Sequence, residues 1–441
     1  MDILLQQKIL RRIKPTRLEQ ERLNELVEKV LRKCRRAAKS LGFSVEFLVG
    51  GSFGKGTYLR GSSDVDVFCR FSQEYLEETL SEKLAELLDC AGFVKRDKRK
   101  GSRDYYSLSL KTKDLSLRFE FVPLHFIQAP EEAKNSVDVS PFHVQFVHEH
   151  LKKNPSLADE IRLTKQLLKA QGLYGAESYI QGFSGHVVDI LLCHFGSLCE
   201  LLTQARHWEE QICLRNTGTY CSSKDLEAEM EKEKFSSLVL QDPCLPSRNA
   251  ARALCDEKYA EFLLFSQKTF ELTEHDFLIE KLNMREIIEE SKKFVREYNL
   301  RLALYSFKIN IGLESEDIVG SKMLRLFRLT SKYFENLGLR IFREDFYIDL
   351  KQHSCMFSFM FERGHVPKVK KLFGPKVYMG PAVQAFLQKH ETYFVEDHRL
   401  CTYAKRTSQT IDEAMRIGTE QFRAMHPKEM NCIKSMRRYK V

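Results

Sequence analysis

Hydrophobic periods of 3.6 and 2 alternate along the first third of the chain, and the switches between them locate its elements. Thr16 and Glu19 form a capping-box pattern after Pro15, and Leu23, Leu26, Val27, Val30, Leu31 and Cys34 then recur at helical spacing. This predicts a helix ending near Leu41-Gly42, a strand over Phe43 to Val49 and another over Asp64 to Phe71. A helix over Ser81 to Cys90 follows. Alternating strands over Tyr105 to Leu110 and Leu115 to Val122 are joined by the polar turn Lys111-Thr112-Lys113-Asp114. From Pro141 the pattern becomes helical, with helices predicted over Ile161 to Gln171, Val187 to Arg206 and Ser247 to Leu272. The charged stretch Thr217 to Lys234 reads as a surface loop or short solvated helix. Beyond Phe277, short strands over Leu302 to Ile309, Phe346 to Leu350 and Met356 to Phe361 are interspersed with helices such as Met323 to Leu339. Asn431 to Val441 reads as a frayed basic end. The expected fold class is α+β and multidomain, with a mixed sheet flanked by helices, a helical middle and small α/β regions after it.

Composition narrows the class. A chain of 441 residues is too long for one ordinary core, and 43% hydrophobic residues describe a folded protein. The net charge of +9 gathers in Lys95 to Arg103, in Lys368, Lys370, Lys371 and Lys376, and in Arg437, Arg438 and Lys440, which favours an anionic partner, nucleic acid ahead of membrane. The twelve cysteines never form CxxC, so a zinc site of the usual spacing is not expected. His148 and His150 read as an exposed helix face rather than as ligands. The start of the chain lacks a signal-peptide core, and Val187 to Phe195, interrupted by Asp189 and His194, is too short to span a bilayer. The expected location is cytoplasmic, with nuclear or organellar presence left open and no membrane.

The candidate chemistry lies in Gly50-Gly51-Ser52-Phe53-Gly54-Lys55-Gly56-Thr57 and in Asp64-Val65-Asp66 after it. A glycine turn carrying a hydroxyl and a lysine can hold a polyphosphate on backbone N–H groups. Two aspartates at i and i+2 of a strand project from one face. Glu120, in the apolar run Leu117 to Pro123, supplies a third carboxylate that would be costly to bury alone. Three carboxylates with phosphate oxygens and water suit octahedral magnesium, and two such ions can drive nucleotidyl transfer. An ion pair between Glu120 and Arg118 is compatible with that role. A Walker-type loop is excluded, because Gly56 rather than Ser or Thr follows Lys55, and Gly50 stands one residue too close to Gly54.

Gly51-Ser52, Leu59-Arg60-Gly61 and Asp64-x-Asp66 resemble the head motif of the polymerase-β-like nucleotidyltransferase superfamily. A narrower likeness follows in order: Ser136-Val137-Asp138, Pro141-Phe142-His143, Arg162-Leu163-x-Lys165, Gly172-Leu173-Tyr174-Gly175, Gly182-Phe183-Ser184-Gly185, Asp242-Pro243, Arg248-Asn249 and Leu372-Phe373-Gly374-Pro375. This string resembles the archaeal-type (class I) CCA-adding enzymes. The resemblance implies a head over 1–138, a helical neck over 139–274, a body over 275–315 and 389–441, and a tail over 316–388. It implies two Mg2+ ions on Asp64, Asp66 and Glu120 as catalytic and metal residues. Gly51, Ser52, Lys55, His143, Lys165 and Tyr174 would contact the nucleotide, and Arg248 its base. Lys368, Lys370, Lys371 and Lys376 would grip the RNA. The implied substrates are tRNA, CTP and ATP, and the implied assembly is a homodimer. Two positions depart from the family pattern: Glu120 stands where aspartate is expected, and Lys95 to Tyr106 replaces an Arg-Tyr-Ala-Glu-His-Pro-Tyr block. An oligoadenylate synthetase-like or poly(A)-adding enzyme, a partial CC- or A-adding enzyme, and a non-catalytic RNA-binding protein are the competing readings.

Overall fold

In a computed structural model the described residues are 2–62, 64–111, 116–230, 235–269, 271–279, 283–311, 314–336, 339–362, 369–405, 416, 420 and 423–439. The chain divides into two compact units, Met1–Glu280 and Lys281–Val441.

The first unit opens with helix α1 (Ile3–Ile13), absent from the elements the sequence pattern predicts, and α2 (Arg17–Leu41). The capping box is present: Thr16 accepts from the Glu19 N–H, Glu19 accepts from the Thr16 N–H, and Gly42 closes α2 in the left-handed region. Strands β1 (Val45–Val49) and β2 (Asp64–Phe71) flank the short helix α3 (Gly51–Gly54). After α4 (Leu80–Cys90) come β3 (Asp97–Arg99), β4 (Tyr105–Lys111) and β5 (Ser116–His125). The strands form one mixed sheet in the order β1-β2-β5-β4-β3, in which β2 and β5 run parallel and every other pair is antiparallel. The turn expected over residues 112–114 lies outside the described residues.

Strand alternation separates core from site. Val65, Val67, Cys69, Phe71, Leu117, Phe119 and Phe121 are buried with Leu23, Val27, Val30 and Leu31 of α2 and Leu80, Leu84 and Leu87 of α4. The opposite parity carries Asp64, Asp66, Arg118 and Glu120, and farther along Phe68 and Leu124, which pack on Val144.

The helical part comprises α5 (Ser140–Lys153), α6 (Leu157–Ala170), α7 (Gly185–Phe195), α8 (Leu198–Ala205), α9 (Ser223–Leu226) and α10 (Asp256–Lys268). The single helix predicted over Val187 to Arg206 is two, bent by 91°. Gly196 takes a left-handed φ of 77° and Ser197 caps α8 through the Glu200 N–H. The helix predicted over Ser247 to Leu272 begins only at Asp256, because the chain before it turns back on a small sheet. There β6 (Ile212–Leu214) lies between β7 (Tyr220–Cys221) and β8 (Leu238–Leu240), three strands too short to show a period. Among the described residues no single helix is long and apolar enough to cross a membrane.

The second unit contains α11 (Met284–Glu297), β9 (Leu300–Ile309), α12 (Glu316–Asn336), β10 (Ile341–Asp349) and β11 (Ser354–Glu362). Next come β12 (Val369–Lys376), α13 (Gly380–Lys389), β13 (Phe394–Glu396), β14 (Arg399–Lys405) and β15 (Ile433–Tyr439). One sheet has the order β10-β11-β9-β15 and a second β12-β14-β13. The basic end expected to fray is thus a paired strand, with Met436 opposite Phe307 and Tyr439 opposite Leu304. Its ladder to β9 satisfies the backbone while Lys434 and Arg437 stay exposed.

Candidate active site

The carboxylates converge by register. Parallel pairing sets Asp66 beside Glu120 and Asp64 beside Arg118, so all four side chains leave the same face of the sheet. The Arg118 Nε lies 2.8 Å from an Asp64 oxygen and 3.8 Å from one of Glu120, so the pairing anticipated for Arg118 is shared. Burial, then the neighbouring Asp66 charge, pushes the Glu120 carboxyl up to about 7. Burial and the Asp64 charge raise Asp66 as well. Three carboxylates, two of them held away from their ordinary ionisation, offer the hard oxygens that would suit a divalent cation such as Mg2+.

The glycine turn presses on these carboxylates. Gly50 donates to the Asp66 carbonyl at 2.8 Å, and Gly51 has a φ of 54°. A Cβ on Gly51 would stand 1.7 Å from Asp66 Oδ2, so only glycine lets the turn lie against this carboxylate. Ser52 is partly exposed beside it. His148 holds the turn through the Gly54 carbonyl at 2.8 Å, and His150 bonds the Phe146 carbonyl at 2.9 Å. Arg162 grips the Gly56 and Tyr58 carbonyls and pairs with Asp159 at 2.7 Å.

Lys55 departs from the expected place. It is buried, and its Nζ lies 2.8 Å from Asp189 rather than open toward a triphosphate. Lys165 meets the other Asp189 oxygen at 3.1 Å and donates to Thr57 Oγ1 at 3.1 Å. Burial alone would raise the Asp189 carboxyl, but Lys165 and Lys55 reverse this and hold it below its ordinary value. Two lysines share one carboxylate, so burial and the Lys55 charge lower Lys165. Asp189 was passed over in the sequence; the signal was a lone carboxylate inside the apolar run of α7.

Tyr174 is partly buried nearby, its hydroxyl raised by desolvation and then by Asp189. Its ring lies under Lys169 at 5.0 Å, and its hydroxyl would be 2.9 Å from a Cβ on Gly185. His143 Nε2 lies 2.7 Å from Asp242, whose other oxygen faces His186 at 3.0 Å and Arg248 at 3.5 Å. Burial would raise Asp242, but the hydrogen bonds from His143 and His186 hold it far below the carboxylate range. The sequence singles out His143 and Arg248 as expected nucleotide contacts but gives no role to His186 or Asp242.

The basic segment 95–103 is largely spent internally. Arg103 is buried against Asp138 and Glu77, Arg96 pairs with Asp89 at 2.5 Å, and Lys98 with Asp104 at 2.9 Å. In the second unit Lys371 pairs with Glu396 and lies 5.3 Å from the Phe373 ring centroid, and Lys376 lies 5.6 Å from that of Tyr378. Lys368 lies outside the described residues, as does the side chain of Lys370.

A mixed sheet with two parallel strands bearing Asp-x-Asp and Glu, capped by a glycine turn, defines a nucleotidyltransferase of the polymerase-β-like class. The family model of the nucleotidyltransferase domain matches residues 28–153, that of the second domain of tRNA nucleotidyltransferase 159–279, and that of the C-terminal domain of CCA-adding enzymes 311–433. A CCA-adding enzyme of Methanococcus maripaludis is 29% identical over 91% of this chain and 88% of its own length. One from Methanocaldococcus jannaschii is 27% identical over 92% and 88%. One from Sulfurisphaera tokodaii is 28% identical over 93% and 91%. The three matches follow one another along the chain, which is similar over most of its length to archaeal CCA-adding enzymes and is a tRNA nucleotidyltransferase.

Proposed function

We propose that the protein adds the 3′-terminal CCA to tRNA without a nucleic-acid template, taking CMP twice from CTP and AMP once from ATP, with release of pyrophosphate. The observation that carries this is the register that sets Asp66 beside Glu120, with Asp64 two residues before, under a turn that only glycine permits. Two Mg2+ ions held by Asp64, Asp66 and Glu120 would polarise the α-phosphate and lower the pKa of the attacking 3′-hydroxyl. Glu120, one methylene longer than the family's aspartate, retains the oxygen such a site needs.

Around that centre the chain's own residues bind and orient. Gly51 and Ser52 offer backbone and hydroxyl donors to the triphosphate. Lys165, Tyr174 and His143 flank it from the helical part, and Lys55 supplies positive charge from behind the turn while paired to Asp189. Arg248, with part of its guanidinium open to solvent, presents planar donors to cytosine or adenine. Residues 1–138 act as head and 139–274 as neck; 275–315 and 389–441 act as body, and 316–388 as tail. Lys368, Lys370, Lys371 and Lys376 hold tRNA phosphates, a sequence-blind and salt-sensitive attraction. A cytoplasmic homodimer is the working form.

The test is primer extension on tRNA transcripts ending before the first C, after the first and after the second, with CTP and ATP singly and together. Sequential incorporation of two CMP and one AMP is expected. Failure of the folded protein to add either nucleotide would remove the proposal. Long ATP-only products or 2′-5′ linkages would replace it with an adenylate-polymerising reading.

A further inference from the structure

We propose that Asp242 is a positioning residue that holds His143, on the phosphate side, and Arg248, on the base side, in one geometry. Grip on the triphosphate and recognition of the base are then set together. This inference rests on the nucleotide placement proposed above.

Asp242 is fully buried and its oxygens are divided between two tasks. One accepts from the backbone N–H groups of Cys244 at 2.9 Å and Leu245 at 3.2 Å and faces His143 Nε2 at 2.7 Å. The backbone donors belong to the Asp242 turn itself and fix the plane of the carboxylate before any other partner engages it. The second oxygen faces His186 Nε2 at 3.0 Å and Arg248 Nη1 at 3.5 Å. The partners come from α5, from α7 and from the loop ahead of α10, so one carboxylate ties three separate segments.

Each interaction has a directional consequence. With the His143 Nε2–H donating to Asp242, Nδ1 is left as an acceptor, so the carboxylate selects the tautomer of the neutral ring. The His143 and His186 rings lie 4.1 Å apart, which limits how far the first can swing. Arg248 uses Nη1 on Asp242, and its side chain is 42% exposed, so the rest of the donor fork remains for a base edge. Moving the carboxylate would move both functional side chains. One ligand atom from each of His143, His186 and Asp242 lies within 4.8 Å of the others, close enough for a divalent cation. A hydrogen-bonded node accounts for them better, because one Asp242 oxygen already accepts two backbone N–H groups and the Arg248 cation stands against the other.

The test uses the full chain carrying Asp242→Asn, alone and in a His143→Ala/Arg248→Ala background. Steady-state kinetics are measured for CTP on tRNA ending before the first C and for ATP on tRNA ending after the second. In the otherwise wild-type protein KM is expected to rise at least about 10-fold for both nucleotides, and CTP-to-ATP discrimination to change by at least about 5-fold. In the double-variant background the same substitution is expected to change kcat/KM less than about 2-fold, since the residues through which it acts are gone. An equal loss in both backgrounds would mean a purely structural role and overturn the proposal. If Asp242→Asn does not fold, the His143 tautomer in 15N-histidine-labelled wild-type protein decides. The Nε2–H form supports the proposal, and the Nδ1–H form or a metal-shifted ring overturns it. If His143→Ala and Arg248→Ala each leave kcat/KM unchanged, the nucleotide placement itself fails and the proposal falls with it. Losses in those two variants without any in a folded Asp242→Asn overturn the proposal alone.

Discussion

Two charged clusters in the first unit are built to opposite rules. On the sheet, Asp64, Asp66 and Glu120 crowd three carboxylates around one guanidinium, and burial with mutual repulsion raises Asp66 and pushes Glu120 up to about 7. Beneath the turn, Lys55 and Lys165 close on the two oxygens of Asp189, and all three are buried. The first cluster sets three carboxylates against one guanidinium, whereas the second has a carboxylate with a cation on each oxygen. A cluster short of counter-charge is where a cationic ligand gains most by entering, and a closed cluster is where the structure gains most by staying intact. Lys55 joins the two, since its charge also lowers Asp66 while its hydrogen bond goes to Asp189.

The sharpest way to break this contrast is Asp66→Asn. With Asp66 holding Mg2+ as proposed, its loss is expected to lower nucleotidyl transfer at least about a thousandfold. The urea-unfolding free energy should stay level or rise, because like-charge repulsion is relieved. A clear loss of stability would place Asp66 in the structural class and end the comparison. Asp189→Ala inverts the pattern: two buried lysines lose their shared carboxylate, and stability should fall by about 3–5 kcal/mol in the same assay. A loss below about 1 kcal/mol would show that the lysines reach water or another partner. Mg2+ sharpens the first half further. Millimolar Mg2+ without nucleotide should stabilise the wild-type protein by about 1–3 kcal/mol, and chelation should reverse the gain. Asp66→Asn should respond to neither, and an equal response would place the cation elsewhere.

The contrast was only half legible in the sequence, for physical reasons. Asp64, Asp66 and Glu120 stand out because strand parity is short-ranged: a carboxylate every second residue in an apolar run has few explanations. Likewise the capping box, β2 and α4 emerged nearly residue for residue, since caps and periods are local. Lys55–Asp189 spans 134 positions and His143–Asp242 spans 99, distances at which no local pattern records a partner. The same limit explains why the sequence sets Lys55 at the nucleotide without a sign of Asp189, and groups Arg103, held by Asp138, with the basic cluster over 95–103. The break between α7 and α8 was visible as Gly196-Ser197 but hidden by an apolar period that runs through it. Strand β15 was missed because a basic outer face resembles a loose tail until its pairing to β9 is seen.

The smallest effect expected tests whether burial without a partner also leaves a measurable mark. His194 sits on α7 five residues beyond Asp189, and among the described residues its Nε2 has no hydrogen-bond partner. Burial, helped by His150, pushes it down to about 4. A folded pKa below the unfolded value of about 6.5 means the unfolded chain binds more protons between those limits. The contribution of His194 is therefore complete above about pH 6.5, declines as pH falls toward 4 and is level below that. The shift corresponds to at most about 3 kcal/mol, and less where the ring is partly solvated. His186, also pushed to about 4, titrates in the same window but is common to both proteins and cancels in the difference. His194→Leu should flatten the fall in unfolding free energy between pH 6.5 and 4 by about 1–2 kcal/mol. An unchanged slope would mean that water reaches His194. Shifted ionisation would then follow partnership between charged groups, as in the two clusters, and not burial alone.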